Sequence, residues 1–313
     1  MTAEKFFTHP LGIIGSATAA TFLWGTAFPF VKLSYAELHI VRTDTFGQMV
    51  FAGYRFALAG ILIMLFMALM KQPVSYARGT WKGLSKLALF QTFLQYVFFY
   101  VGMSISTGIQ GSIIAGATSF FQILIAHFMY KNDALTLRKM IGILLGFLGI
   151  LSVGFSEQGL HIQFGWGELL LLIAMFFGGL GNVVAKNEAK HMNILYMTSW
   201  QMVIGGMALI LVGATAAGLV PFQFNLTSLL MLLYLSVLSA AGFVLWNNVM
   251  KFNKVGTVSM YLFLIPVFGV FLSAVMLSEE VHSIIMLSLA LVVSGIVIVN
   301  RQPAPVAAVK TSS

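Results

Sequence analysis

The stretch His191–Met250, HMNILYMTSWQMVIGGMALILVGATAAGLVPFQFNLTSLLMLLYLSVLSAAGFVLWNNVM, contains no Lys, Arg, Asp or Glu. As one helix these sixty residues would extend about 90 Å at 1.5 Å per residue, three times the thickness of a hydrocarbon core of about 30 Å. The run must therefore fold back within lipid, and Gly218–Asn225, which contains Pro221, supplies the turn. Leu87–Tyr130 is a second charge-free run, with its own turn signal at Ser104–Gln110. Both runs lack the period-2 alternation of barrel strands, and lipid demands that backbone groups be satisfied internally, so helices are expected. The reading is an all-α polytopic membrane protein.

The rest of the chain agrees. Hydrophobic residues make up 59% and charged residues 8% of the 313 positions, against about 45–50% and 25% in soluble domains. The absence of cysteine excludes disulfides, thiolate metal sites and thiol nucleophiles. The first apolar stretch, Phe6–Val31, is longer than a signal-peptide core and lacks an Ala-x-Ala type cleavage site, so it is read as a mature span.

Dividing the apolar runs at turns and charge clusters gives ten spans, near residues 11–33, 46–70, 84–104, 109–130, 139–155, 166–186, 194–217, 226–249, 255–277 and 282–300. With the N-terminus in the cytoplasm, fourteen of the 17 Lys and Arg residues fall on the inner side. Lys32 and Arg42 fall outside, and Arg55 lies within a span. This asymmetry places both termini in the cytoplasm of a bacterial cell, the chain being multi-pass in its cytoplasmic membrane. It also explains the formal charge of +8 through lipid headgroups, without a nucleic-acid partner. Residues 302–313, with two prolines and small residues, are expected to be a disordered cytoplasmic tail.

The two halves repeat. Trp24-Gly25 sits 153 positions before Phe177-Gly178, and Tyr54-Arg55-Phe56 with Ala59-Gly60 sits 146 before Trp200-Gln201-Met202 with Gly205-Gly206. Gly108 and Phe120 match Gly256 and Phe268, 148 further on, and Gly149-Ile150 matches Gly295-Ile296 at 146. Residues 1–156 and 157–301 are thus read as two five-helix repeats. Five is odd, so the second copy enters the membrane from the opposite side, the inverted arrangement of many secondary transporters.

The pattern resembles the EamA-type, ten-helix branch of the drug/metabolite transporter superfamily over about residues 11–300. Trp24-Gly25, Phe28 and Lys32 carry the resemblance in helix one, Arg55-Phe56 in helix two, and Gly142, Gly146 and Gly149 in helix five. Ile265-Pro266-Val267, Ser278-Glu279-Glu280 and Ser294-Gly295-Ile296 complete it. Two departures stand in the first half: Ala117-Thr118-Ser119 where the family usually has a proline, and Lys131-Asn132-Asp133 in place of Gly-Glu. The resemblance implies a cavity lined by helices one to four and six to nine, with five and ten peripheral, and export of small metabolites. It names no substrate.

Several residues then become candidates for substrate contact. Arg55 is a charge deep in a span, costly there and by default functional. It either anchors a carboxylate through its planar fork of donors or makes a structural bond to helix-end carbonyls. Gln91 and Gln95 share a face of helix three, and Ser119 and Gln122 make a polar stripe on helix four. Each pair either ties helices together or touches substrate. Asn182 lies in the inner third of helix six. Trp24, Tyr96, Phe99, Trp200, Trp246 and Tyr261 form either an aromatic cavity wall or ordinary core and interface packing. Pro29 and Pro266 are either hinges or static kinks.

His127 is expected to snorkel to the interface, and the histidines show no metal-ligand spacing, so neither metal nor cofactor is expected. No acid lies in the middle of a span, which removes the carboxylate that drives proton exchange in small four-helix multidrug exporters. No cluster of His, Asp or Glu suits an integral-membrane enzyme. The reading is an alternating-access exporter of a small organic metabolite such as an amino acid, a monomer or homodimer among membrane lipids; a lipid flippase or multidrug exporter is the alternative.

Overall fold

The computed structural model describes residues 2–130, 135–152, 155–156, 159–162 and 164–300. In chain order its main helices are α1 (Pro10–Glu37), α2 (Thr45–Leu69), α3 (Trp81–Ile105), α4 (Gly108–Met129), α5 (Leu137–Ser152), α6 (Trp166–Glu188), α7 (Ile194–Ala217), α8 (Leu226–Phe252), α9 (Leu264–Leu277) and α10 (Ser283–Asn300). Seven of them, all but α5, α9 and α10, are long and apolar enough to cross a membrane. A helical turn, Ala3–Thr8, precedes α1. The expected tail at 302–313 and the segment Lys131-Asn132-Asp133 lie outside the described residues.

Polar residues at the turns between helices prove to be helix caps. Thr107 accepts from the Gln110 backbone N–H at 3.0 Å while the Gln110 side chain accepts from the Thr107 N–H at 2.9 Å, a capping box that starts α4. Asn225 and Ser228 do the same for α8, Asp44 caps α2, and Asn193 caps α7. These caps satisfy the first N–H groups of each helix, which have no acceptor within it.

Three elements differ from the sequence expectation. The expected helix over 255–277 is divided into a turn of α-helix at Val255–Val258, a 3-10 stretch at Ser259–Phe263, and α9. Pro266 explains the division: it has no N–H and its ring crowds the carbonyl of residue 262, so it sits in the first turn of a new segment. Pro29, by contrast, lies inside an unbroken α1. Within α3, Ala88–Leu94 forms a π-helical turn that no sequence signal announced. Between the halves, Phe155–Ser156 pairs antiparallel with Gly159–Ile162, a small ribbon in an otherwise helical molecule.

The helices pack in a definite pattern. α2 lies along α7 and α5 along α10; α1 is gripped by α8 and α9, and α6 by α3 and α4, while α4 also packs on α9. Glycines allow the closest of these approaches. A Cβ on Gly206 would lie 2.5 Å from the Ala57 nitrogen, and one on Gly53 would lie 2.7 Å from the Gly206 carbonyl oxygen, so α2 and α7 touch backbone to backbone. Gly295 meets the Gly142 carbonyl in the same way on the α5–α10 seam. Large apolar side chains such as Leu144, Leu148, Phe271 and Val275 are left exposed on the outside, as a lipid-facing surface requires. For description, the face at which α1 begins is the near face and the opposite one the far face.

A cavity walled by aromatic rings and amides

A cavity opens among α1, α2, α3, α4, α6, α8 and the α9 region, close to the midpoints of the long helices. The volume open to the centre of a water molecule is about 60 Å³, room for several waters or the polar end of a small solute. None of its lining residues belongs to α5, α7 or α10.

Arg55 is the charged member of the lining and is 1% exposed. Gly53 and Gly60 bring its helix hard against α7, and Arg55 turns instead to α8. Nε donates to the Ser239 Oγ at 2.8 Å and to the Leu235 carbonyl at 3.1 Å, while Nη1 donates to the Tyr100 hydroxyl at 3.0 Å. The guanidinium carbon lies 5.0 Å from the Phe56 ring centroid and 5.7 Å from that of Tyr96. Among the described residues no Asp or Glu pairs with it, and no hydrogen bond uses Nη2. Arg55 is thus tied to a carbonyl in the middle of α8 rather than at a helix end, and Nη2 has no hydrogen-bond partner among the described residues.

A row of amides runs beside the cavity. Gln91 Nε2 donates to Asn182 Oδ1 at 2.9 Å, Asn182 Nδ2 to Gln122 Oε1 at 2.9 Å, and Gln122 Nε2 to Ser259 Oγ at 2.6 Å. Ser119 Oγ closes the row on the Ser259 carbonyl at 3.1 Å. This row joins α3, α6, α4 and the 3-10 stretch before α9, and all five side chains are buried. Within the π turn, Gln91 bonds to α6 and its neighbour Thr92 to Gln201 of α7 at 2.5 Å. Gly181 receives the Gln91 side chain and Gly178 that of Gln95.

The opposite wall is aromatic. Trp24 packs edge-on against Phe243 (5.3 Å between centroids) and Trp246 (5.6 Å), with its indole N–H beside Gly242. Phe28 tilts against Phe99, and Tyr96 against Phe56 at 4.0 Å.

Of the sequence candidates, the cavity brings together Trp24, Arg55, Gln95, Tyr96, Phe99 and Asn182, while Trp200 lies apart from it, its indole N–H donating to the Val74 carbonyl at 3.0 Å. Gln91, Ser119 and Gln122 lie in the amide row behind Asn182, and Trp246 lies behind Trp24, so none of these four reaches the open space. Tyr261 is not in the lining either; its neighbour Leu262 is. Phe243, Met175 and Thr118 were not singled out as candidates, since an isolated apolar or small polar residue on a membrane helix carries no signal in sequence. His127 accepts from the Leu135 N–H at 3.2 Å rather than standing free. No three His, Asp or Glu side chains cluster as metal ligands among the described residues.

Both ends of the cavity are tied. At the far face the Glu279 carboxylate accepts from the Gly108 and Ile109 N–H groups, each at 2.8 Å, capping α4 from another helix pair. Glu168 accepts from the Ser106 hydroxyl at 3.2 Å and from the Gly165 N–H at 2.9 Å. At the near face Lys186 donates to the Met250 carbonyl at 2.6 Å and to that of Asn253, closing the C-terminal end of α8. Tyr130 donates to Asn187 at 2.8 Å alongside.

A model of the EamA-like transporter family matches residues 11–155 and 165–301. The chain is 24% identical to the Bacillus subtilis protein "Uncharacterized transporter YoaV", over 91% of this chain and 94% of that one. It is 25% identical to the Escherichia coli protein "Probable amino-acid metabolite efflux pump", over 88% of this chain and 90% of that one. A crystal structure 15% identical in sequence superposes with a TM-score of 0.66, covering 92% of this chain and 96% of its own; at that identity it bears on the fold alone.

Proposed function

Since the chain belongs to the EamA-like transporter family and is a multi-pass membrane transporter, we propose that it exports a small organic metabolite bearing a carboxylate, such as an amino acid, by alternating access. One observation carries the reading: a guanidinium in the central cavity, free at Nη2 and without an acidic partner among the described residues. A charge at that depth is costly unless something compensates it. Aromatic rings and two hydroxyls accomplish part of this, and a carboxylate from the cargo completes it with the bidentate geometry that Arg favours. The name of the Escherichia coli relative agrees with such cargo.

The same proposal includes ten spans in two inverted repeats, with domain boundaries near 1–156 and 157–301. The packing pattern supports it: advancing each helix by five turns the α1 contacts with α8 and α9 into the α6 contacts with α3 and α4. The two segments matched by the family model support it as well. Two similar units that rock against each other supply two exchanging states, with the ties at the far and near faces as the contacts that alternate. Placement in a bacterial cytoplasmic membrane with both termini inside belongs to this reading, supported by the distribution of Lys and Arg.

Solute counterflow in proteoliposomes tests the function. Saturable exchange of a carboxylate-bearing metabolite is expected, whereas unsaturable conductance would indicate a pore and movement of labelled phospholipid a flippase. An Arg55→Lys protein keeps the charge but loses the fork, and its apparent affinity should fall by at least about tenfold. Normal transport by that variant, or efficient export of a quaternary ammonium compound alone, would remove the anchor. A periplasmic-activity reporter should be silent after Gln72 and active after Phe222.

A further inference from the structure

The cavity wall facing α6 bears on what else the cargo carries, an inference that rests on the Arg55 reading above. Gln95 lines the cavity, yet its amide makes no hydrogen bond to any described residue, and Oε1 is buried without a partner. Gly178 keeps the space beside it, since a Cβ there would fall 3.0 Å from the Gln95 Nε2. Buried polar groups are nearly always satisfied, so an unpartnered carbonyl oxygen on a residue that lines a cavity is available to a donor that arrives with the ligand. Thr118 stands in the same lining, its proton directed to the Met175 sulfur at 3.0 Å, so its oxygen lone pairs are left over. Asn182 has no such freedom, being bonded on both sides.

The charge balance narrows the choice. Among the described residues no Asp or Glu lines the cavity, so a free cation would meet Arg55 with nothing to offset it. A cation carried on the same molecule as a carboxylate is different, because the pair is neutral overall. Away from Arg55 the walls offer acceptors, Gln95 and Thr118, and the rings of Phe28 and Phe99, all of which favour an ammonium. Arg55 extends toward α8 and Gln95 lies against α6, so the two act from different sides of the cavity.

We propose that Gln95 is a specificity-determining residue: with Thr118 it takes the ammonium of a zwitterionic cargo whose carboxylate Arg55 holds. The cargo class is then neutral α-amino acids with apolar side chains, the side chain resting against the Trp24–Phe243 wall.

The test uses the purified full chain in proteoliposomes and a panel of neutral α-amino acids, each with its des-amino and decarboxylated analogue; for leucine these are 4-methylpentanoate and 3-methylbutylamine. In the wild-type protein the amino acid should compete at least about tenfold better than the des-amino acid, the loss expected for a hydrogen bond to a charged group. In Gln95→Leu that preference should collapse toward unity, and Gln95→Asn should recover part of it. Equal competition by the amino acid and its des-amino analogue in the wild type would overturn the proposal without any substitution. So would an undiminished preference in Gln95→Leu, or failure of every amino acid in the panel to exchange. An Arg55→Lys protein that handles both carboxylates normally removes the underlying anchor instead, so the two failures are distinguishable.

Discussion

Two walls of one cavity solve the same packing problem with different chemistry. On the α1–α8 side a large ring, Trp24, rests on Gly242, with Phe243 and Trp246 around it. On the α3–α6 side Gln95 rests on Gly178, backed by the row Gln91, Asn182, Gln122 and Ser259. Each wall sets a bulky side chain over a glycine of the neighbouring helix. The aromatic wall is held by shape: the indole N–H groups of Trp24 and Trp246 are both buried without acceptors. The amide wall is held by directed bonds, each donor in the row meeting an acceptor at 2.6–2.9 Å. The difference divides the cavity into an apolar side and a side able to recognise polar groups, with Arg55 between α2 and α8 as its charge.

The contrast can be broken by substitutions that separate shape from hydrogen bonding. The largest effect is expected for Trp246→Ala, because this fully buried ring leaves a void of its own size. The loss should be about 3–5 kcal/mol, seen as a marked fall in the thermal unfolding midpoint of purified protein in detergent.

Next comes Gln122→Leu, which nearly preserves volume but orphans Asn182 Nδ2 and removes the donor to Ser259. A cost of about 2 kcal/mol is expected. An unchanged midpoint would mean that the amide row contributes no stability and would remove the distinction between the walls.

The smallest effect is expected for Trp246→Phe, which keeps most of the ring and deletes only an N–H that had no acceptor. Its cost should stay below about 1 kcal/mol, since removing an unsatisfied donor offsets part of the lost packing. If Trp246→Phe proves as damaging as Gln122→Leu, the indole N–H has a partner and the aromatic wall is not held by shape alone.

The asymmetry was only partly legible beforehand. Arg55, Gln95 and Asn182 stand out in sequence because polar groups are rare at such depths, and rarity is a signal. Which of the glutamines would be bonded and which left open was not readable. It depends on which neighbouring helix each residue of α3 meets, Gln91 bonding to α6 and Thr92 to α7. Pro266 was visible, but whether it would bend one helix or begin another depended on the 3-10 stretch formed before it.

The sequence by itself determined that this chain lives in lipid as a set of helices, because charge-free runs such as His191–Met250 are a local property that no packing arrangement can alter. It also determined where helices begin, because caps such as Thr107 and Asn225 act within four residues of themselves. Only the tertiary structure decided which side chains face one another across the cavity. Those contacts join positions as distant as Arg55 and Ser239, or Gln122 and Ser259, and depend on how glycine-lined helices settle against each other, a matter of shape in three dimensions rather than of order along the chain.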